Sequence, residues 1–453
     1  MQIQLYNSYS KIVGNIEPLL FKALRDSLSY VDGERIVHLY VSRQPGLGWC
    51  FPTGLIAQVI EVISMHGGVA PEIEDRRRHV PNSEVTYHWN TDYNLRAYQH
   101  TAVAKMVAKT RGIAWMGTGG GKTITSARII HNLGRRAFVC VISTDAWMDT
   151  VASYRSYLGN SAVAVWGGKF KDIGDVTVVT IQALTQAKQK PNSILWRAFQ
   201  QADLVILDEV HMTAGGGQWG QCIMESPAYY KFGMTGSPYR GKDDNDILLR
   251  AATGRIQFIA TAVDLQEQGH LAQSEIIFHS FSMVSDLISY EYKDAIVLNA
   301  ERNQFVADLV KSITTRFESE GKAVPVMAIS VQHIEHAEIL AQMTGFVVYH
   351  GQLPTPVKAA IRSGLKDGSL RGIVATGVLT ASADYPQLKI MIDASAFGSH
   401  STLVQKKGRE LRQWESEIAE YHGIIDEFVG NYKQKSLERI EHFKKEGWEV
   451  KIV

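Results

Sequence analysis

Two short runs in this 453-residue chain carry residues able to do chemistry. The first is MGTGGGKT at 116–123, after a strand-like GIAWM and before a helix-like ITSARIIHNL. Glycine lets successive backbone N–H groups turn toward one anion. The helix that follows adds its positive N-terminal end. On this reading Thr118, Gly119, Gly120 and Gly121 wrap a phosphate chain. Lys122 reaches the β- and γ-phosphates, and Thr123 lends a hydroxyl to Mg²⁺. The strict pattern has glycine where this chain has Met116. Taken alone, the run also fits a plain flexible loop, so the rest of the chain decides.

The second run is LVILDEVH at 204–211, an apolar stretch ending in two adjacent carboxylates. Side chains at the carboxyl end of a parallel strand face the ligand crevice. Asp208 is then placed to hold Mg²⁺ and Glu209 to position and deprotonate an attacking water, the two tasks phosphoryl transfer sets. His211 is placed to sense the γ-phosphate. An Asp-Glu pair alone can equally open a solvated loop; it gains force from following the glycine-rich loop in the right order.

These runs need elements to hold them. Short β-branched runs recur with helical stretches between them: 137–143, 176–180, 203–209 and 232–237, then 325–330, 346–350, 372–376 and 390–395. Strands alternating with helices predict parallel sheets, and two successive sets predict two doubly wound α/β domains. A boundary is expected near 262–275. Residues 1–90 read as a small α+β domain: strands at IQLY and RIVHLYV, helices at 17–30 and 55–67, a turn at CFPTG, and a charged linker at EIEDRRRHVPNSE. The expected division is 1–90 as a small accessory domain, 91–265 as the first α/β domain and 266–453 as the second. Arg76, Arg77 and Arg78 either touch phosphates or form a solvated linker.

Bulk properties narrow the class. The chain is 45% hydrophobic and 21% charged, ordinary for a globular protein. Cys50, Cys140 and Cys222 lack metal-like spacing and do not suggest a disulfide framework. With no signal-like or membrane-spanning run, a soluble cytoplasmic protein is expected. A net charge of +1 does not advertise a nucleic-acid partner, so any such surface must be local.

In order over 95–412, the sequence resembles the superfamily 2 helicases. LRAYQ (95–99) is similar to their adenine-reading segment, with Gln99 on the base. MGTGGGKT matches motif I and DEVH motif II. VISTDAW (141–147) and TIQAL (180–184) match the strand-tracking motifs Ia and Ib. MTGSPYR (234–240) matches motif III, which implies that Thr235 and Ser237 couple hydrolysis to movement. ATGVLTASADYP (375–386) matches motif V with Asp384, and QKKGRELR (405–412) matches motif VI with Gln405, Arg409 and Arg412. Ser382 and Lys406 depart from the usual residues of the last two motifs. The finer resemblance is to phage UvsW-type and XPB-like branched-DNA helicases.

The resemblance implies two tandem RecA-like domains after the small N-terminal one, and ATP and Mg²⁺ as cofactors. It implies that Arg409 and Arg412 act on the γ-phosphate. DNA that is branched or partly single-stranded is the expected partner. RNA stays open, no membrane partner is expected, and the expected state is a monomer. Thr180 and Trp147 are candidate nucleic-acid contacts; Trp147 and Tyr239 could stack on a base or pack in the core. Opening DNA costs roughly 1.4 kcal/mol per step, so sustained opening needs repeated hydrolysis. The competing readings are a duplex translocase, an RNA helicase, and an ATP-gated clamp with little turnover.

Overall fold

The computed structural model describes the whole chain except residues 33, 41–48, 68, 118, 143, 191, 212–217, 237–245, 271–273, 284–290, 377–387, 397–418, 428–430 and 446. It divides into two units, Met1–Met116 with Gly121–Ala260, and Thr261–Val453 with Gly117–Gly120.

Runs such as VTVVT and LVIL are apolar without alternation, the pattern of strands covered on both faces. In the first unit they build an eight-stranded sheet. Its order is Phe170–Lys171, Val163–Gly167, Val176–Thr180, Ala137–Val141, Leu204–Asp208, Tyr230–Thr235, Arg111–Met116, Ile256–Ala260. All its pairings are parallel except that of Phe170–Lys171. The strand into the glycine-rich loop and the strand into the acidic pair are therefore next-nearest neighbours, with Tyr230–Thr235 between them.

The N-terminal residues form a separate four-stranded sheet, ordered Trp49–Pro52, Tyr9–Val13, Gln2–Leu5, Glu72–Asp75. Helices Pro18–Ser27 and Ile56–Gly67 pack against each other. Three sequence expectations are corrected here. EIED, expected as linker, is an edge strand parallel to Gln2–Leu5. CFPTG, expected as a turn, contributes to strand Trp49–Pro52 before a short 3₁₀ turn. The helix expected over 17–30 ends at Ser27, because Ser29–Asp32 forms a hairpin with Arg35–His38, within the strand expected at RIVHLYV. Ile3, Leu24, Phe51 and Leu55 share one apolar cluster with Phe138, Leu207, Leu248 and Ala252.

The second unit is a seven-stranded, all-parallel sheet. Its order is Val347–Tyr349, Gly372–Thr376, Val326–Val331, Leu388–Asp393, Ala419–Asp426, Ser274–Phe281, Val450–Ile452. Buried ion pairs close the C-terminal ends of two central strands. Arg302 grips Asp426 through two bonds, 2.7 and 3.2 Å, and Arg439 meets Asp393 at 2.6 Å. Among the described residues no helix is long and apolar enough to cross a membrane.

Candidate active site

The glycine-rich loop leaves strand Arg111–Met116 and enters helix Lys122–Leu133. Gly119 and Gly121 adopt φ of +81° and +78°, a region costly for any residue with a Cβ. The turn closes as Gly120 N–H donates to the Gly117 carbonyl at 2.9 Å. Lys122 is the first helical residue, so its own N–H and the next ones lack intrahelical partners.

Lys122 is 2% exposed, and its Nζ makes no hydrogen bond among the described residues. The Glu209 Oε1 lies 3.6 Å from it. A buried ammonium with unused donors is costly unless something anionic completes it. A polyphosphate oxygen beside a helix N-terminus meets that need. The site therefore fits a nucleotide triphosphate.

Asp208 ends its strand, and its Oδ1 accepts from the Glu209 N–H at 3.1 Å. Glu209 sits at φ +50°, a strained conformation for this residue type. That twist lets Glu209 lean toward Lys122 on one side and His211 on the other, where Glu209 Oε2 lies 3.3 Å from Nδ1. His211 Nδ1 also shares a 2.8 Å hydrogen bond with the hydroxyl of Thr235, which is fully buried. A hard carboxylate and the Thr123 hydroxyl are donors of the kind Mg²⁺ takes.

Other expected residues fall as follows. Gln99 is buried, and its Oε1 accepts from the Arg96 N–H at 2.9 Å, capping helix Ala97–Val107. Trp147 is core: 7% exposed, its ring against Gly167 and Phe170. Packing, the second of the two fates open to it, is what the structure shows. The Thr180 hydroxyl caps helix Ile181–Lys188. Arg76 pairs with Glu74 at 2.7 Å. Arg77 pairs with Asp75 at 2.6 Å, reaches Thr110 and lies over the Tyr229 ring. Arg78 donates to the Arg77 carbonyl. Glu74 and Asp75 are held below the usual carboxylate range chiefly by hydrogen bonds from Arg76 and Arg77. Thr118, Ser237, Asp384, Gln405, Arg409 and Arg412, with Tyr239, lie outside the described residues.

Sequence reasoning missed the shell behind the loop. The Tyr154 hydroxyl is hydrogen-bonded to Ser126 at 2.5 Å, and Ser126 donates to the Thr123 carbonyl at 2.9 Å. Burial foremost, with the Asp208 charge adding, pushes the Tyr154 phenol up. Val210 packs where a Cβ on Gly233 would stand. These contacts join residues distant in the chain, so no local pattern signals them.

Family comparison agrees with this geometry. Residues 92–240 match the family described as Type III restriction enzyme, res subunit. Residues 303–413 match the Helicase conserved C-terminal domain. The chain is 24% identical over 330 residues to the DNA 3'-5' helicase XPB of Mycobacterium tuberculosis, covering 71% of this chain and 58% of that one. It thus spans less than two thirds of that relative's length. The ATP-dependent Type ISP restriction-modification enzyme LlaBIII bound to DNA has a similar fold, with a TM-score of 0.56 at 14% identity over 88% of this chain and 36% of that one. T4 UvsW aligns over 100% of this chain and 99% of its own at 18% identity and a TM-score of 0.45.

The chain thus carries two tandem RecA-like parallel-sheet domains, the first with a glycine-rich phosphate loop and an acidic strand end. The chain resembles the superfamily 2 helicases, the XPB enzymes among them.

Proposed function

We propose that the chain is an ATP-dependent DNA helicase or translocase that remodels branched DNA such as forks, D-loops and four-way junctions. The observation that carries the reading is the convergence of Lys122 and Glu209, 3.6 Å apart, at the carboxyl ends of parallel strands. It brings a phosphate-binding cation and a base for water to one place. In this reading Lys122 and the loop amides hold the β- and γ-phosphates, and Gln99 reads the adenine. Glu209 aligns and deprotonates the attacking water. Thr123 and Asp208 hold Mg²⁺, which neutralises charge on the phosphates. Arg409 and Arg412 act on the γ-phosphate with Gln405 and Asp384 in support, and His211, Thr235 and Ser237 relay the nucleotide state.

Residues 1–90 serve as an accessory nucleic-acid-binding domain, with 91–265 and 266–453 as the motor domains. The protein works as a monomer in the cytoplasm, where Cys50, Cys140 and Cys222 stay reduced thiols. The name of the mycobacterial relative favours DNA as substrate and 3'-to-5' movement.

A second reading, movement along duplex DNA without strand separation, draws on the restriction-enzyme family match. The decisive experiment compares ATPase stimulation and strand displacement on single-stranded, duplex, forked and four-way DNA and on RNA. Strongest stimulation with displacement on forks or junctions is expected. Stimulation by plain duplex without displacement would support the translocase, and a rate indifferent to every nucleic acid would end both readings.

A further inference from the structure

Strand Tyr230–Thr235 lies between the phosphate-loop strand and the acidic strand, and its carboxyl end is held from both sides. On one side His211 bonds Thr235, an approach opened by Gly233, whose missing Cβ leaves room for Val210. On the other side stands Trp115, the last residue but one of the phosphate-loop strand and the register partner of Thr235. Its indole Nε1–H donates to the Gly236 carbonyl at 2.9 Å, in a buried bond.

Strand interiors of this kind are filled by aliphatic residues, as Ile113 and Val205 show. Tryptophan there brings a donor that must find a partner once buried. The partner it finds is the backbone just beyond the strand, where the chain enters the segment resembling motif III. An aliphatic residue at 115 would fill the space and leave that carbonyl without this donor. Beyond the ladder pairing of the two strands, this side-chain bond ties the strand that ends at the phosphate loop to Gly236, the residue after the one that touches His211.

We propose that Trp115 is a positioning residue of the motor, passing changes at the phosphate loop to Thr235–Gly236 through its indole. The proposal rests on the motor reading, in which Thr235 relays the nucleotide state. A rearrangement of the loop moves the end of strand Arg111–Met116, the indole carries Gly236 with it, and Thr235 shifts against His211. The acidic pair then responds to the nucleotide through a hydrogen bond as well as through Lys122.

The test is the ratio of DNA-stimulated to unstimulated ATPase in Trp115→Phe, which keeps a ring and removes the donor. The expected result is a KM for ATP within about twofold of wild type, little change without DNA, and a stimulation ratio lowered roughly tenfold, the scale of one buried hydrogen bond. Trp115→His, which keeps a ring N–H, should recover part of the ratio. A wild-type ratio in the Phe variant, or equal loss with and without DNA, overturns the proposal. Should the Phe variant not fold, amide hydrogen exchange on the wild-type chain decides. Protection at 113–116 and 233–236 should change together when ADP–beryllium fluoride is added, and a change in one segment alone refutes the link. Failure of wild-type protein to respond to DNA would sink the motor reading itself, a result distinct from failure at Trp115.

Discussion

At the residue scale, Lys122 shows how a site is held ready at a cost in stability. Its ammonium is buried, has no hydrogen-bond partner among the described residues, and lies 3.6 Å from the Glu209 carboxylate. Replacing such a group with an apolar side chain of similar length relieves desolvation. Lys122→Met is therefore expected to abolish ATP hydrolysis while leaving the melting temperature unchanged or a few degrees higher without nucleotide. Thermal denaturation alongside a phosphate-release assay checks both halves, and a clear loss of stability would mean the ammonium is better compensated than the geometry allows. Glu209→Gln keeps the shape but not the base. It should bind ATP and DNA near wild-type strength while turnover falls at least about a hundredfold, the scale of general-base catalysis; substantial turnover would move the base elsewhere. Both residues were legible in the sequence because each sits in a contiguous run whose order carries the chemistry. Trp115, Ser126 and Tyr154 were not, since their meaning arises only when distant strands and helices meet.

At the element scale, strands covered on both faces were the easiest to read. VTVVT and GIVAT have the observed bounds, Val176–Thr180 and Gly372–Thr376. Glu72–Asp75 escaped because an edge strand need not be apolar; three of its four residues carry charge and it faces solvent. Strand Trp49–Pro52 was hidden by its proline and the Thr-Gly after it, which look like a turn. The short 3₁₀ turn that follows, Thr53–Leu55, packs against helix Asp246–Thr253. A Cβ on Gly54 would run into the backbone carbonyls of Arg250 and Ala251. Backbone cannot yield as a flexible side chain does, so Gly54→Ala should cost about 1–3 kcal/mol, the usual scale of overpacking. The loss should appear in urea unfolding followed by circular dichroism, with faster amide exchange in 51–56 and 247–252. Unchanged stability would show that the helix can move away freely. Because this contact falls inside a cluster running from Ile3 to Ala252, the N-terminal sheet and the eight-stranded sheet of the first unit share one core.

At the scale of the whole molecule, the second unit carries a pH dependence set by its buried histidines. His336 is fully buried with Nε2 on the Asn303 Oδ1 at 2.8 Å. Burial foremost, then the charges of Arg302 and His333, pushes its imidazole down to about 3. His279, stacked on His422 with their ring nitrogens 2.8 Å apart, is pushed down to about 4 by burial and by that neighbour. Both are bases that hold a proton less readily when folded. As pH falls below the ordinary histidine value of about 6.5, the unfolded chain takes up protons that the folded chain refuses. Stability is therefore present above that pH and drains away between about 6.5 and 4, by up to ~1.4 kcal/mol per pH unit for each histidine. In the folded chain Arg302 is paired with Asp426, and its charge with that of His333 opposes a proton on His336. His336→Gln keeps a donor for Asn303 and removes the titration, so its unfolding free energy should fall less steeply, by about 1.4 kcal/mol per unit over that window. Urea titrations of both proteins at pH 7, 6, 5 and 4.5 measure the two slopes. Parallel slopes would mean that His336 accepts its proton in the folded state after all, and that the second unit opens around it before it unfolds.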